Sequence, residues 1–155
     1  MEGAISTHGA EAVENSEIVL IPLKKVRELF STSPQFSMNM LELLTSKQKF
    51  RDREVEHLSL QSAPQRIGCF LLRLCKPDET KNITLNLPYD KALIASRLGM
   101  KAETFSRALN KLKLEANISV NGSTIKIASI ATLLGYCCNA CSNTFPCLDI
   151  KANAV

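Results

Sequence analysis

The strongest constraint on the fold lies between Pro88 and Ile127. Asp90 stands where it caps a two-turn helical pattern whose expected buried face is Leu93, Ile94 and Leu98, with Ala95 small enough for a second helix to approach. Gly99 then supplies the sharp turn that ends it. A second helical pattern starts at once at about Lys101 and runs to Leu114. Phe105, Ala108, Leu109 and Leu112 form its core face, and Ala102, Glu103, Ser106 and Arg107 its open face. Ile118 to Ile127 alternates polar and apolar residues on either side of Asn121-Gly122, the strongest short hairpin signal. Two short helices meeting at a glycine, followed directly by a hairpin, leave few alternatives.

The rest of the chain arranges itself around this segment. The first ten residues are rich in Gly, Ala, Ser and Thr and look loose. Ala10 to Pro22 reads as one or two strands, ending on a buried apolar run that Pro22 stops. Leu23 to Phe30 forms a short helix with Leu23, Val26, Leu29 and Phe30 on one face. Ser33 caps, and Pro34 opens, a long helix to about His57. At roughly 25 residues that helix is about 37 Å long. Phe36, Met40, Leu43 and Phe50 follow a heptad-like spacing, broadened by Leu41, Leu44, Val55 and Leu58. The pattern fits pairing with a second copy, or an amphipathic helix packed on its own domain. Ser62 to Cys75 is a further helix on Ile67, Phe70, Leu71 and Leu74, with Cys69 and Cys75 as core residues. Ile83 to Leu87 alternates as a short strand, and Ser129 to Tyr136 extends a last helix.

Charge is unevenly placed. The chain carries a net +4, and the residues from Leu87 to Lys126 hold all of it, with Lys91, Arg97, Lys101, Arg107, Lys111, Lys113 and Lys126 against Asp90, Glu103 and Glu115. A local basic surplus suits a polyanion, or simply a solvated helix face. With 45% hydrophobic residues and 22% charged ones, and no run of eighteen apolar residues, the chain is expected to fold without spanning a membrane. Its start has neither the basic nor the apolar stretch of a secretory leader, so a cytoplasmic location is expected and the six cysteines should be reduced.

The ordered set of elements resembles the C-terminal part of a Crp/Fnr-family transcriptional regulator, from about Ala10 to Ile127. The resemblance rests most on Asp90-Lys91-Ala92-Leu93-Ile94-Ala95-Ser96-Arg97-Leu98-Gly99-Met100 followed by Glu103-Thr104-Phe105-Ser106-Arg107-Ala108-Leu109. It implies a mainly α fold with small β: a winged helix-turn-helix preceded by a long dimerisation helix and remnant β-roll strands. The implied divisions are residues 1–30 (the last strands and a short helix of a sensor β-roll), 31–60 (the dimerisation helix), 61–128 (the DNA-binding domain) and 129–155 (a helix and Cys-rich tail). Glu103-x-x-Ser106-Arg107 matches the base-reading triplet of the Fnr-like branch, since the cyclic-AMP receptor branch has glycine where Ser106 stands.

The implied function is a homodimeric transcription regulator on double-stranded DNA, reading TTGAT-like half-sites in inverted repeat. Glu103, Ser106 and Arg107 would read bases, and RNA polymerase is a possible further partner. Without the family motif, Glu103 and Arg107 read first as an i, i+4 surface ion pair. Lys91, Lys101, Thr104, Asn121, Gly122 and Ser123 fall where family members touch phosphates, and Phe36, Met40, Leu43 and Phe50 would form the dimer seam. No cofactor and no catalysis are expected. Only the last strands of a sensor roll fit residues 1–30, which have no counterpart of the cyclic-nucleotide phosphate cassette or of the oxygen-sensing cysteine cluster. Neither activity is expected by those routes. Two alternatives stay open: a truncated partner that heterodimerises with full-length relatives, or a thiol-based metal or redox sensor. Cys137, Cys138, Cys141 and Cys147 are the thiols for the latter, though their spacing suits incidental cysteines in a loose tail better, and no metal site is expected. His8 and His57 are expected at the surface.

Overall fold

The structure is a computed structural model that describes residues 9–76 and 79–141. It divides into two compact units, Met1–Thr45 and Ser46–Val155. The expected mainly helical architecture with a small antiparallel sheet is present.

The first unit holds α1 (Leu23–Thr32) and the first turns of α2 (Pro34–Leu60). Ser33 begins α2 as expected, its Oγ accepting from the Phe36 N–H at 3.2 Å. Phe30 and Phe36 meet edge to face, ring centroids 5.3 Å apart, and so staple the corner between the helices. The strands expected over Ala10 to Pro22 are not formed: residues 9–22 carry neither strand nor helix. A strand exists through hydrogen bonds to a neighbour, and the sheet of the described residues is built from three strands that all lie beyond residue 80. The apolar run Ile18 to Ile21 is exposed rather than buried.

The second unit contains the core. α3 (Ala63–Leu74) starts at Ser62, whose backbone N–H and hydroxyl both donate to Gln65 Oε1 at 2.9 Å. Its buried side carries Ile67, Phe70 and Leu71. β1 (Lys81–Asn86), α4 (Lys91–Arg97), α5 (Ala102–Glu115), β2 (Ile118–Asn121), β3 (Thr124–Ser129) and α6 (Ile130–Cys137) follow. The sheet is antiparallel in the order β1-β3-β2, with Ile83 and Ile118 both opposite Ile127. Alternate residues Ile83, Leu85, Ile125 and Ile127 point inward to meet α3, α5 and α6. α6 packs chiefly on α3. Cys69 and Cys75 are core residues, as expected.

Candidate nucleic-acid interface

Each part of the helix-turn-helix is set by a local interaction. Asp90 Oδ1 accepts from the Leu93 N–H at 2.7 Å and so starts α4. Ile94 and Ala95 form its buried face, while Leu93 is 37% exposed, against expectation. The helix is only seven residues long, and burying the consecutive pair turns Leu93 toward its rim. Gly99 has φ +64°, where a Cβ would clash. There the Gly99 N–H donates to Ser96 O and the Met100 N–H to Ala95 O, each at 3.0 Å. This closes α4 and turns the chain straight into α5.

α5 separates its two faces cleanly. Phe105, Ala108, Leu109 and Leu112 are buried against the core, between 0% and 6% exposed. Ala102, Glu103, Thr104, Ser106 and Arg107 are exposed. Ser106 Oγ donates to Ala102 O at 3.1 Å, which leaves its oxygen free to accept. Lys101, before the first turn, provides no side-chain cap, so the leading N–H groups of the helix remain open toward solvent. Glu103 and Arg107 form no ion pair with each other. Both side chains are held at the protein surface only by their own helix.

The hairpin stands beside this helix. Asn121 pairs with Thr124, so its two-residue loop is Gly122-Ser123, one place later than the sequence suggests. Gly122 at φ +60° with an ordinary Ser123 is the glycine-first hairpin turn. The turn is anchored to β1 by the Leu87 N–H donating to Ser123 O at 2.9 Å. Thr124 Oγ1 donates to Asn86 Oδ1 at 3.0 Å as a second tie. Lys91, Lys101, Thr104, Asn121, Gly122 and Ser123 are all exposed. The expected dimer seam on α2 is at most half-buried: Phe36, Met40 and Phe50 are partly covered, and Leu43 is exposed.

Cys137 and His57 differ from expectation. Cys137 is wholly buried. Burial first, then the neighbouring thiols of Cys69, Cys138 and Cys141, push its own thiol well above the ordinary range. No group of side chains suited to a metal ion forms among the described residues; Cys147 and His8 lie outside them. His57 is buried, not exposed, because Arg73 donates from Nη2 to its Nδ1 at 3.2 Å. A guanidinium has no lone pair, so the imidazole must be the acceptor. Nothing in the local sequence signals this pair, which lies across two helices.

A buried three-helix core carrying an open-faced second helix and a hairpin wing defines a winged helix-turn-helix domain. Residues 65–136 match the family model of the Crp-like helix-turn-helix domain, and the chain carries such a domain. Over 133 residues it is 25% identical to the fumarate and nitrate reduction regulatory protein of Salmonella typhi, covering 82% of this chain and 53% of that protein. Over 128 residues it is 28% identical to the cAMP-activated global transcriptional regulator CRP of Pasteurella multocida, covering 81% and 61%. A solved structure from Ruegeria pomeroyi, of a proposed cyclic nucleotide binding protein, shares 35% identity at a TM-score of 0.56, covering 75% of this chain and 50% of that one. The chain thus spans about half the length of the relatives it matches.

Proposed function

We propose that this chain is a non-catalytic transcription regulator of the Crp/Fnr kind that binds double-stranded DNA as a homodimer and reads TTGAT-like inverted repeats. The observation that carries the reading is the open face of α5, where Glu103, Ser106 and Arg107 project from a helix whose other face is locked into the core. Arg107 suits the O6 and N7 acceptors of guanine, and Glu103 the N4 amine of the paired cytosine. The Ser106 oxygen, left free to accept, suits a neighbouring base edge. Serine at that position, in place of glycine, favours the Fnr-like branch.

Lys91, Lys101 and Thr104 at the helix ends, with Asn121, Gly122 and Ser123 on the wing, take the phosphates and fix register. The long helix serves as the dimerisation element. Met38, Leu41, Leu43, Leu44, Val55 and Leu58 on it are about half exposed or more, and apolar surface of that kind is covered favourably by a second copy. Such a regulator works in the cytoplasm beside RNA polymerase. Selection of bound duplexes from random sequence tests all three elements together. Enrichment of two TTGAT-like half-sites in inverted repeat supports the reading, and recovery of unrelated sequences removes it.

A further inference from the structure

Among the described residues Cys69, Cys75, Cys137, Cys138 and Cys141 are all reduced. The first three are buried, while Cys138 and Cys141 are half-buried and open to solvent. A thiol reacts only where a reagent can approach it, so chemistry from outside falls on this second pair. The reading face of α5 uses neither residue, and DNA binding gives no reason for the Cys138-Asn139-Ala140-Cys141 spacing.

The fold brings the pair together. Cys138 caps α6, its N–H donating to Leu134 O at 2.9 Å, and the chain then turns and bends through residues 138–141. A four-residue turn holds its ends within about 7 Å, and a disulfide spans Cα separations of about 4.4–6.8 Å. Extended, the same segment would part them by about 10 Å. The two sulfurs also share a neighbour. Burial first, then Cys69, Cys138 and Cys141, raise the thiol of Cys137, so both half-buried thiols lie within electrostatic reach of that one sulfur.

The turn is tied to the start of α3. Gln65 Nε2 donates to Tyr136 O and to Asn139 Oδ1, each at 3.4 Å. The Oε1 of the same side chain accepts from Ser62, which opens the helix. Asn139 stands between the two cysteines, so closing the turn moves the group that meets Gln65.

We propose that Cys138 and Cys141 are a thiol-modification site that forms a reversible intramolecular disulfide and reports it to the start of α3. The oxidant is a low-molecular-weight disulfide. The thiolate of one cysteine attacks it and expels one small thiolate. The thiolate of the other then attacks the protein sulfur of that mixed disulfide and expels the second. One S–S bond forms in the protein as one breaks in the reagent. The protein gives up two electrons and two protons, which the reagent takes up as two thiols.

The test equilibrates the full chain with glutathione buffers of rising oxidised share, labels every remaining thiol with iodoacetamide in urea, and maps the peptides by mass spectrometry. Labelling of Cys138 and Cys141 should be lost together, with an S–S link between them, while Cys69, Cys75 and Cys137 keep theirs. Cys147→Ser should change nothing. Cys138→Ser should leave Cys141 as a lasting mixed disulfide with glutathione, and Cys141→Ser should do the same to Cys138. A link from either cysteine to Cys147 or to a second copy overturns the proposal. So does glutathione retained on both, earlier oxidation of the buried thiols, or no oxidation at all. In the oxidised protein the side-chain amide resonances of Gln65 should shift. If they stay in place, the tie to α3 is overturned while the mapping still decides the disulfide.

Discussion

The Sγ of Cys137 occupies the space that a Cβ on Gly68 would need, with Leu133 Cδ1 3.2 Å from the same point. Helices α3 and α6 approach this closely only because position 68 has no side chain. Gly68→Ala should therefore destabilise the protein by about 1–3 kcal/mol, as overpacking does in a filled core. Gly135, also helical, has nothing within 4 Å of its Cβ position; there alanine should be neutral or stabilise by up to about 1 kcal/mol. Urea midpoints at constant slope separate the two. Equal midpoints for both variants would refute this account of the contact.

Gly99 is expected to be intolerant for a different reason. Its φ of +64° disfavours any Cβ, and Leu58 crowds the position as well. Gly99→Ala should cost about 1–2 kcal/mol from the backbone conformation alone, read as a lower urea midpoint. DNA affinity should fall as well, because the turn aims α5.

Asp90→Ala removes the hydrogen bond to the Leu93 N–H that starts α4. The expected loss is about 0.5–2 kcal/mol. Asp90→Asn or Asp90→Ser should restore most of it, and the three thermal melts together separate the cap from a general charge effect.

The buried thiols should stand apart from the others in reactivity. Burial, and then the Glu79 carboxylate, push Cys75 up to about 11. At pH 8 its thiolate fraction is then about one in a thousand, so iodoacetamide should modify the half-buried Cys138 and Cys141 well before Cys75 or Cys137. Mass spectrometry of partly alkylated native protein reports the order. The sign for stability follows from the proton count. An unfolded thiol loses its proton near 8.5 or so while folded Cys75 retains it to about 11. Its contribution is thus full below about pH 8.5 and is lost as pH rises toward 11. Cys75→Ala should flatten that decline.

Much of this architecture was legible because its signals are local. Asp90, Gly99, Ser33 and the spacing of Phe105, Ala108, Leu109 and Leu112 each act within a turn or two, and each does in the structure what its position suggests. The open face of α5 follows from the same periodicity. What escaped depends on distant partners. Residues 10–22 have the composition of strands, yet strand formation is decided by a neighbour that a local pattern does not contain. His57 is buried by Arg73 from another helix, and Gly68 is required by Cys137, 69 residues further on. A cavity lined by Gln61 and Arg66 exists only once three helices have met. Even the hairpin moved by one residue, since Asn121 joins the ladder and leaves Gly122-Ser123 to turn.

Reading of DNA by α5 is tested most directly by the affinity of the full chain for a duplex carrying two TTGAT half-sites in inverted repeat, against a scrambled duplex, at about 150 mM salt. The repeat should bind at least about 10³-fold more tightly. Arg107→Ala should cost about 1–3 kcal/mol of that and relax the choice at the guanine. Lys101→Ala should weaken both duplexes alike and flatten the salt dependence. Equal affinity of the unaltered chain for the repeat and the scrambled duplex would contradict base reading by Glu103, Ser106 and Arg107.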